Sequence, residues 1–290
     1  MAQPAEGTYY VPHGTRWPFI GSLGMVTLMV GAATWLNGAS PGFWMLLGGA
    51  AIIIYMLFGW FGEVIRESEA GYYNEQVDTS FRMGMSWFIF SEVMFFAAFF
   101  GALFYARALV VPWLGGEGIG AATNEYLWPG YVAAWPSNGP DNVGGEFQTI
   151  PAFGVPFVNT LILLLSGVTI TLAHHAMKRG HRRQIVGWLA ATVALGAFFM
   201  FLQVEEYLLA YQELGLTLGS GIYGSTFFML TGFHGFHVFM GMTMLLIQLL
   251  RSVVGKQFTA DDHFGFEASS WYWHFVDVVW VFLFLFVYIL

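Results

Sequence analysis

The sequence contains no cysteine. That excludes disulfides, thiolate metal sites, iron–sulfur clusters and covalently attached c-type haem on this chain. Charge is scarce as well. Only 10% of the 290 residues are Asp, Glu, Lys or Arg, against about 25% in a soluble domain. So few charges cannot cover a chain of this length with a wetted surface. Basic residues number 10 against 18 acidic, a net charge of −8, so nothing suggests a nucleic-acid partner. A Lys/Arg-rich amphipathic segment is missing, which argues against simple attachment to a membrane surface. The polar stretch Met1 to Arg16 has no basic n-region leading into a short apolar core, so no cleavable signal peptide is expected.

What is abundant is apolar sequence: 57% hydrophobic and 19% aromatic residues, with a mean hydropathy of +0.62. Apolar runs bounded by charge, Pro and Gly predict seven membrane-spanning helices, near 18–37, 43–65, 81–109, 153–176, 184–209, 222–250 and 266–290. Each can cross about 30 Å of hydrocarbon at about 1.5 Å per residue. The third and sixth are longer, so they tilt or project. The expected organisation is an N-terminal segment 1–17, helices one and two over 18–65, a loop 66–80, and a bundle over 81–290 with an outer loop at 110–152. No repeat, low-complexity tract or soluble domain stands out.

Orientation follows from the basic residues. With the N-terminus inside, Arg16, Arg66, Arg82, Lys178, Arg179, Arg182, Arg183, Arg251 and Lys256 all fall on the inner side, and only Arg107 lies at an outer end. That is the bias of the positive-inside rule. It predicts a cytoplasmic N-terminus and an external C-terminus. The outer loop at 110–152 has no Lys or Arg and is rich in Gly, Pro and Trp.

The informative residues are the polar ones inside the spans. Glu92 sits near the middle of the third, where an ionisable group costs about 2.5–3.5 kcal/mol on insertion scales and should face a partner. It reads either as a proton-relay or ligand carboxylate, or as a hydrogen-bonded packing residue. His234 and His237 lie i,i+3 near the middle of the sixth span. Together with Glu92 they are expected to form one buried polar node. Two His and one Glu resemble half of a metal site. The Glu-x-x-His repeat of a di-metal bundle is absent, however, so no catalytic, cofactor or metal residue is assigned.

Glu205 and Glu206 point about 100° apart, so they need different partners. His274 and Asp277 share a face in the last span and are expected to hydrogen-bond each other. His174 and His175 close the fourth span, suited to headgroup contact or to capping its C-terminus. Arg66 and Glu67 close the second span, with Trp60 nearby. This group is a lipid-phosphate contact or a solvated charged turn. Gly21, Gly24, Gly31, Gly48 and Gly49 permit close approach of the first two helices. Trp280 is deep enough to pack on protein rather than sit in an interface belt.

Several segments, in order along nearly the whole chain, resemble subunit III of the haem–copper cytochrome c oxidases. They are Val64-Ile-Arg-Glu-Ser68, Ser91-Glu-Val-Met-Phe-Phe96, Ala173-His-His175, Gln203 to Tyr207, Tyr223-Gly-Ser-Thr-Phe-Phe228, Gly232-Phe-His-Gly-Phe-His237, His263-Phe-Gly-Phe-Glu-Ala268 and Trp271-Tyr-Trp-His-Phe-Val-Asp-Val-Val-Trp280. The resemblance implies helices one and two splayed from helices three to seven, with phospholipids in the V-shaped cleft. It implies no redox cofactor on this chain. Haem and copper would belong to partner subunits, the catalytic subunit I and the copper-bearing subunit II. Arg66 and Glu67 match the family's lipid-contacting turn. Glu92 matches the carboxylate that reacts with a hydrophobic carbodiimide. The implied role is support of proton uptake and protection of the catalytic subunit during turnover, in a bacterial inner membrane. The long 110–152 loop and the stretch Glu69 to Asp78 depart from the animal forms. Acidic residues Glu67, Glu69, Glu75 and Asp78 are candidates for gathering protons.

Other readings remain open at this point. One is the third subunit of a quinol oxidase or a nitric oxide reductase relative, though quinol forms usually lack the first two spans. A proton-coupled carrier would use Glu92 with His234 or His237, but repeated halves and broken helices are not evident. An intramembrane metalloenzyme would need more ligands.

Overall fold

A computed structural model describes residues 10–11, 14–254 and 263–290. Most of the expected N-terminal segment, and Lys256, lie outside the described residues. The described chain is all-helical and holds seven helices long and apolar enough to cross a membrane. It divides into two compact units, one ending at Arg82 and the other beginning at Met83.

The first unit is a helical hairpin followed by the opening turns of a third helix. Helix α1 (Trp17–Leu36) carries Pro18 in its first turn, and α2 (Pro41–Glu69) begins with Pro41. A helix start tolerates proline because its first N–H groups have no intrahelical acceptor. The hairpin closes tightly on glycine. A Cβ on Gly31 would meet the backbone of Leu46, and one on Gly49 the backbone of Leu28. The indole N–H of Trp17 donates to Glu63, and its ring lies over Gly59.

The charged stretch expected as a loop at 66–80 is largely helical. Helix α2 runs through Glu69, and α3 (Glu75–Phe104) starts at Glu75, so only residues 70–74 connect them. Local chemistry explains the correction. Asn74 Oδ1 accepts the Val77 N–H at 3.0 Å, and Glu75 and Asp78 sit in the first turn of α3. A side-chain cap and acidic residues at the positive helix end both favour starting there. Hydropathy does not register such polar helical turns.

Helix α3 passes into a π-helical stretch, Tyr105–Val110, and then α4 (Val111–Leu114), giving a 40-residue span. Pro112 lacks an N–H and its ring crowds the preceding turn. The wide π turn accommodates it. The region expected as a loop at 110–152 thus begins with helix and adds α5 (Ala121–Tyr126).

The second unit packs α6 (Val155–Lys178), α7 (Arg182–Gln212), α8 (Gly221–Val254) and α9 (Phe264–Leu283), the last extended by a π-helical stretch Phe284–Ile289. Residues 179–181 turn α6 into α7, with Gly180 at φ +68°, a conformation that costs glycine little. Leu163, Ile170, Leu189, Phe199, Leu245, Trp273, Val276 and Trp280 form a core with no exposed surface. At the opposite end the long loop lies on the α7–α8 turn. Gln148 N–H donates to Leu214 O at 2.8 Å, and Phe147 stacks on Tyr223 with centroids 5.5 Å apart.

Candidate functional site

On the α3 side of the second unit one carboxyl group pairs with one imidazole. Helix α3 carries Glu92 and α8 carries His237, with His237 Nε2 2.8 Å from Glu92 Oε2. The other ring nitrogen, Nδ1, donates to Phe233 O at 2.6 Å. A carbonyl can only accept, so Nδ1 carries a hydrogen. The hydrogen between Nε2 and Oε2 then has two homes. Either a neutral carboxylic acid donates to a neutral imidazole, or an imidazolium donates to a carboxylate. The net charge of the pair is zero in both cases, which suits burial.

Aromatic rings enclose the imidazole. Phe96 meets it edge-on at 5.0 Å and Tyr272 stacks at 6.3 Å. The His237 side chain is 9% exposed and that of Glu92 21%, so the pair opens to the outside of the unit on the α3 side.

His234 is not part of this pair. Its Nε2–H donates to Val276 O at 3.2 Å, and its ring lies against Trp280 (5.0 Å) and Phe199 (5.9 Å). Three residues turn a helix by about 300°, leaving the two rings about 60° apart. That offset sends His237 to α3 and His234 to α7 and α9. Among the described residues, no group of three or more His, Cys, Asp or Glu gathers as metal ligands.

Glu205 is exposed and Glu206 buried, in line with the angle between neighbouring positions. Glu206 Oε1 accepts from Tyr288 at 2.5 Å and from Gln203 at 3.3 Å. His274 Nδ1 and Asp277 Oδ2 stand 3.6 Å apart, an ion-pair distance rather than the expected hydrogen bond. The His274 ring is drawn instead towards Thr171, whose Oγ1 is 3.2 Å from Nε2. His174 packs on His263 (5.5 Å) and Phe266 (5.7 Å), while His175 is exposed.

In the first unit Arg66 is exposed and Trp60 is 41% exposed. Glu67 is engaged within the chain: Tyr10 donates to Oε1 at 2.9 Å and Tyr73 to Oε2 at 2.7 Å. Burial, and then the bond to Glu67, push the Tyr10 hydroxyl up to about 12 and the Tyr73 hydroxyl higher still. Asp78 pairs with Arg82, whereas Glu69 and Glu75 are exposed.

Several contacts lie between residues that sequence reasoning did not pair. Trp273 donates to Ser166 and Trp280 to Thr160, both at 2.9 Å. Asn159 is wholly buried. The available signal was the run of polar residues Asn159, Thr160, Ser166 and Thr169 within the apolar part of the span.

The profile of the family described as cytochrome c oxidase subunit III matches residues 8–121 and 131–290. A curated protein named cytochrome c oxidase subunit 3 from Oncorhynchus masou is 40% identical over 289 residues, covering 99% of this chain and 98% of its own length. Proteins of the same name from Danio rerio and Gadus morhua are 39% and 38% identical, covering 98% and 96% of their own lengths. With a profile match along nearly its whole length and relatives this similar end to end, the chain belongs to the cytochrome c oxidase subunit III family.

Proposed function

We propose that this chain is a non-catalytic membrane subunit of an aerobic terminal oxidase, beside a catalytic haem–copper subunit I and a copper-bearing subunit II. Its work is support. It keeps proton uptake steady and stabilises the catalytic subunit while oxygen is reduced to water and protons are pumped. Haem and copper belong to those partners. The observation that carries this reading is how the spans use their polar groups. Glu92–His237, Trp273–Ser166, Trp280–Thr160 and Tyr288–Glu206 are each a local contact between helices. Such contacts hold a bundle together.

The same reading assigns phospholipids to the end of α2, with Arg66 and Trp60 as contacts and Glu67 positioning its neighbours through Tyr10 and Tyr73. Proton gathering at the 66–80 region falls to Glu69 and Glu75, because Glu67 and Asp78 are engaged. The reading sets the chain in a bacterial inner membrane, and the distribution of basic residues supports a cytoplasmic N-terminus and a C-terminus on the opposite, periplasmic side.

The test is isolation in mild detergent through a tag on this chain. The reading predicts a haem spectrum and oxygen uptake with reduced cytochrome c. A colourless preparation without partner subunits contradicts it. Exchanging Glu69 and Glu75 for Gln is expected to slow turnover at high pH; unchanged rates across pH remove the proton-gathering role.

A further inference from the structure

Three buried side chains towards the long-loop end of the second unit share one feature. Asn159 on α6 has no exposed surface, yet neither its Oδ1 nor its Nδ2 has a hydrogen-bond partner. Gln203 on α7 is 4% exposed and its Oε1 is unpartnered. Glu206 is 2% exposed; its Oε1 accepts two hydrogen bonds while its Oε2 has none. Buried polar atoms in folded proteins are overwhelmingly paired, with protein or with ordered water.

The packing brings Asn159 and Gln203 to one level, with Glu206 a turn beyond. Thr169 and Thr192 meet at 2.7 Å and fix the antiparallel register of α6 and α7. Ten residues from Thr169 towards the long-loop end is Asn159; eleven residues from Thr192 the same way is Gln203. At about 1.5 Å per residue the two differ in height by about 1.5 Å. Glu206 lies one turn further along the buried stripe Phe199, Gln203, Glu206, Ala210. The chain's last helix closes the third side. Trp280 donates to Thr160, the neighbour of Asn159, and Tyr288 donates to Glu206, with the two rings 5.9 Å apart.

We infer that Asn159, Gln203 and Glu206 enclose an internal site for ordered water. The free atoms are one amide donor, Asn159 Nδ2, and three oxygens, Asn159 Oδ1, Gln203 Oε1 and Glu206 Oε2. Water both accepts and donates, with two to four partners, as such a set requires. An apolar occupant satisfies none of them. A metal cation would take the oxygens but leave the buried Nδ2 donor without an acceptor. The inference stands on the packing of this chain and is independent of what the complex does.

The test is a water-resolving map of the complex isolated through this chain. Density is expected within hydrogen-bond distance of both Glu206 Oε2 and an Asn159 side-chain atom. The size-matched apolar change Asn159→Leu should abolish that density while the Tyr288–Glu206 bond persists. Asn159→Ser, which is smaller and still polar, should retain it. The wild-type map decides the matter even if a variant fails to assemble. Direct Asn159–Gln203 or Asn159–Glu206 hydrogen bonds with no density between them overturn the inference. So does density that disappears when sodium is replaced by a bulky organic cation.

Discussion

His237 Nε2 lies 2.8 Å from Glu92 Oε2 while its Nδ1 donates to Phe233 O, so one imidazole ties α3 to α8 and is itself held by its own helix. Glu92→Gln keeps a donor for Nε2 and should leave thermal stability close to wild type. Glu92→Leu leaves a largely buried nitrogen without a partner, at a cost of about 1–3 kcal/mol. Thermal unfolding of the purified complex separates the two. Equal losses for Gln and Leu would show that the hydrogen bond contributes nothing.

Trp280 and Thr160 provide a cleaner energetic measurement because both are buried. The Trp280→Phe and Thr160→Ala changes each remove one end of the 2.9 Å bond. A double-mutant cycle should return a coupling of about 1 kcal/mol. Additive effects would mean that Trp280 acts through its volume alone.

Arg182 sets the end of α8. Its guanidinium donates to Ser252 O at 2.9 Å and Val253 O at 2.6 Å, placing positive charge where helix carbonyls are free. Arg182→Ala should destabilise the second unit by about 2 kcal/mol, a typical value for hydrogen bonds to a charged group. Lys restores charge but not the two-point geometry, so it should recover stability only in part. Proteolysis near residue 254 reads the loosened end.

Tyr10 gives a pH prediction. Its folded pKa is raised from the ordinary 10.0 to about 12, first by burial and then by Glu67. A raised pKa means that the bond to Glu67 persists below pH 10 and is lost as pH rises through about 12. The difference in ultraviolet titration between wild type and Tyr10→Phe should place the missing phenolate near pH 12. A phenolate appearing near pH 10 would show that Tyr10 does not hold Glu67.

Much of this arrangement was legible in the sequence because the membrane makes its rules simple. Runs of apolar residues mark the spans, and a mid-span carboxyl such as Glu92 demands a partner. The split between Glu205 and Glu206 follows from helix geometry alone. Three things escaped. Charged turns at 66–69 and 75–80 are helical, the second through capping by Asn74, and hydropathy registers neither. The choice of His237 over His234 depends on which helix fills each side of α8, a tertiary matter. The water site draws on Asn159, Gln203 and Glu206, two turns of different helices. Their proximity requires the α6–α7 register, which the Thr169–Thr192 contact supplies only in the folded chain.

The central claim is that this subunit supports a catalytic partner rather than reducing oxygen itself. The most direct measurement is oxygen uptake by the complex before and after selective removal of this chain, followed through sustained turnover. The account predicts that haem content and initial activity survive removal. The rate should then fall steeply at high pH and decay irreversibly during turnover, and adding the chain back before turnover should prevent that decay. Complete loss of haem or of initial oxygen reduction on removal would contradict it, as would an unchanged rate throughout.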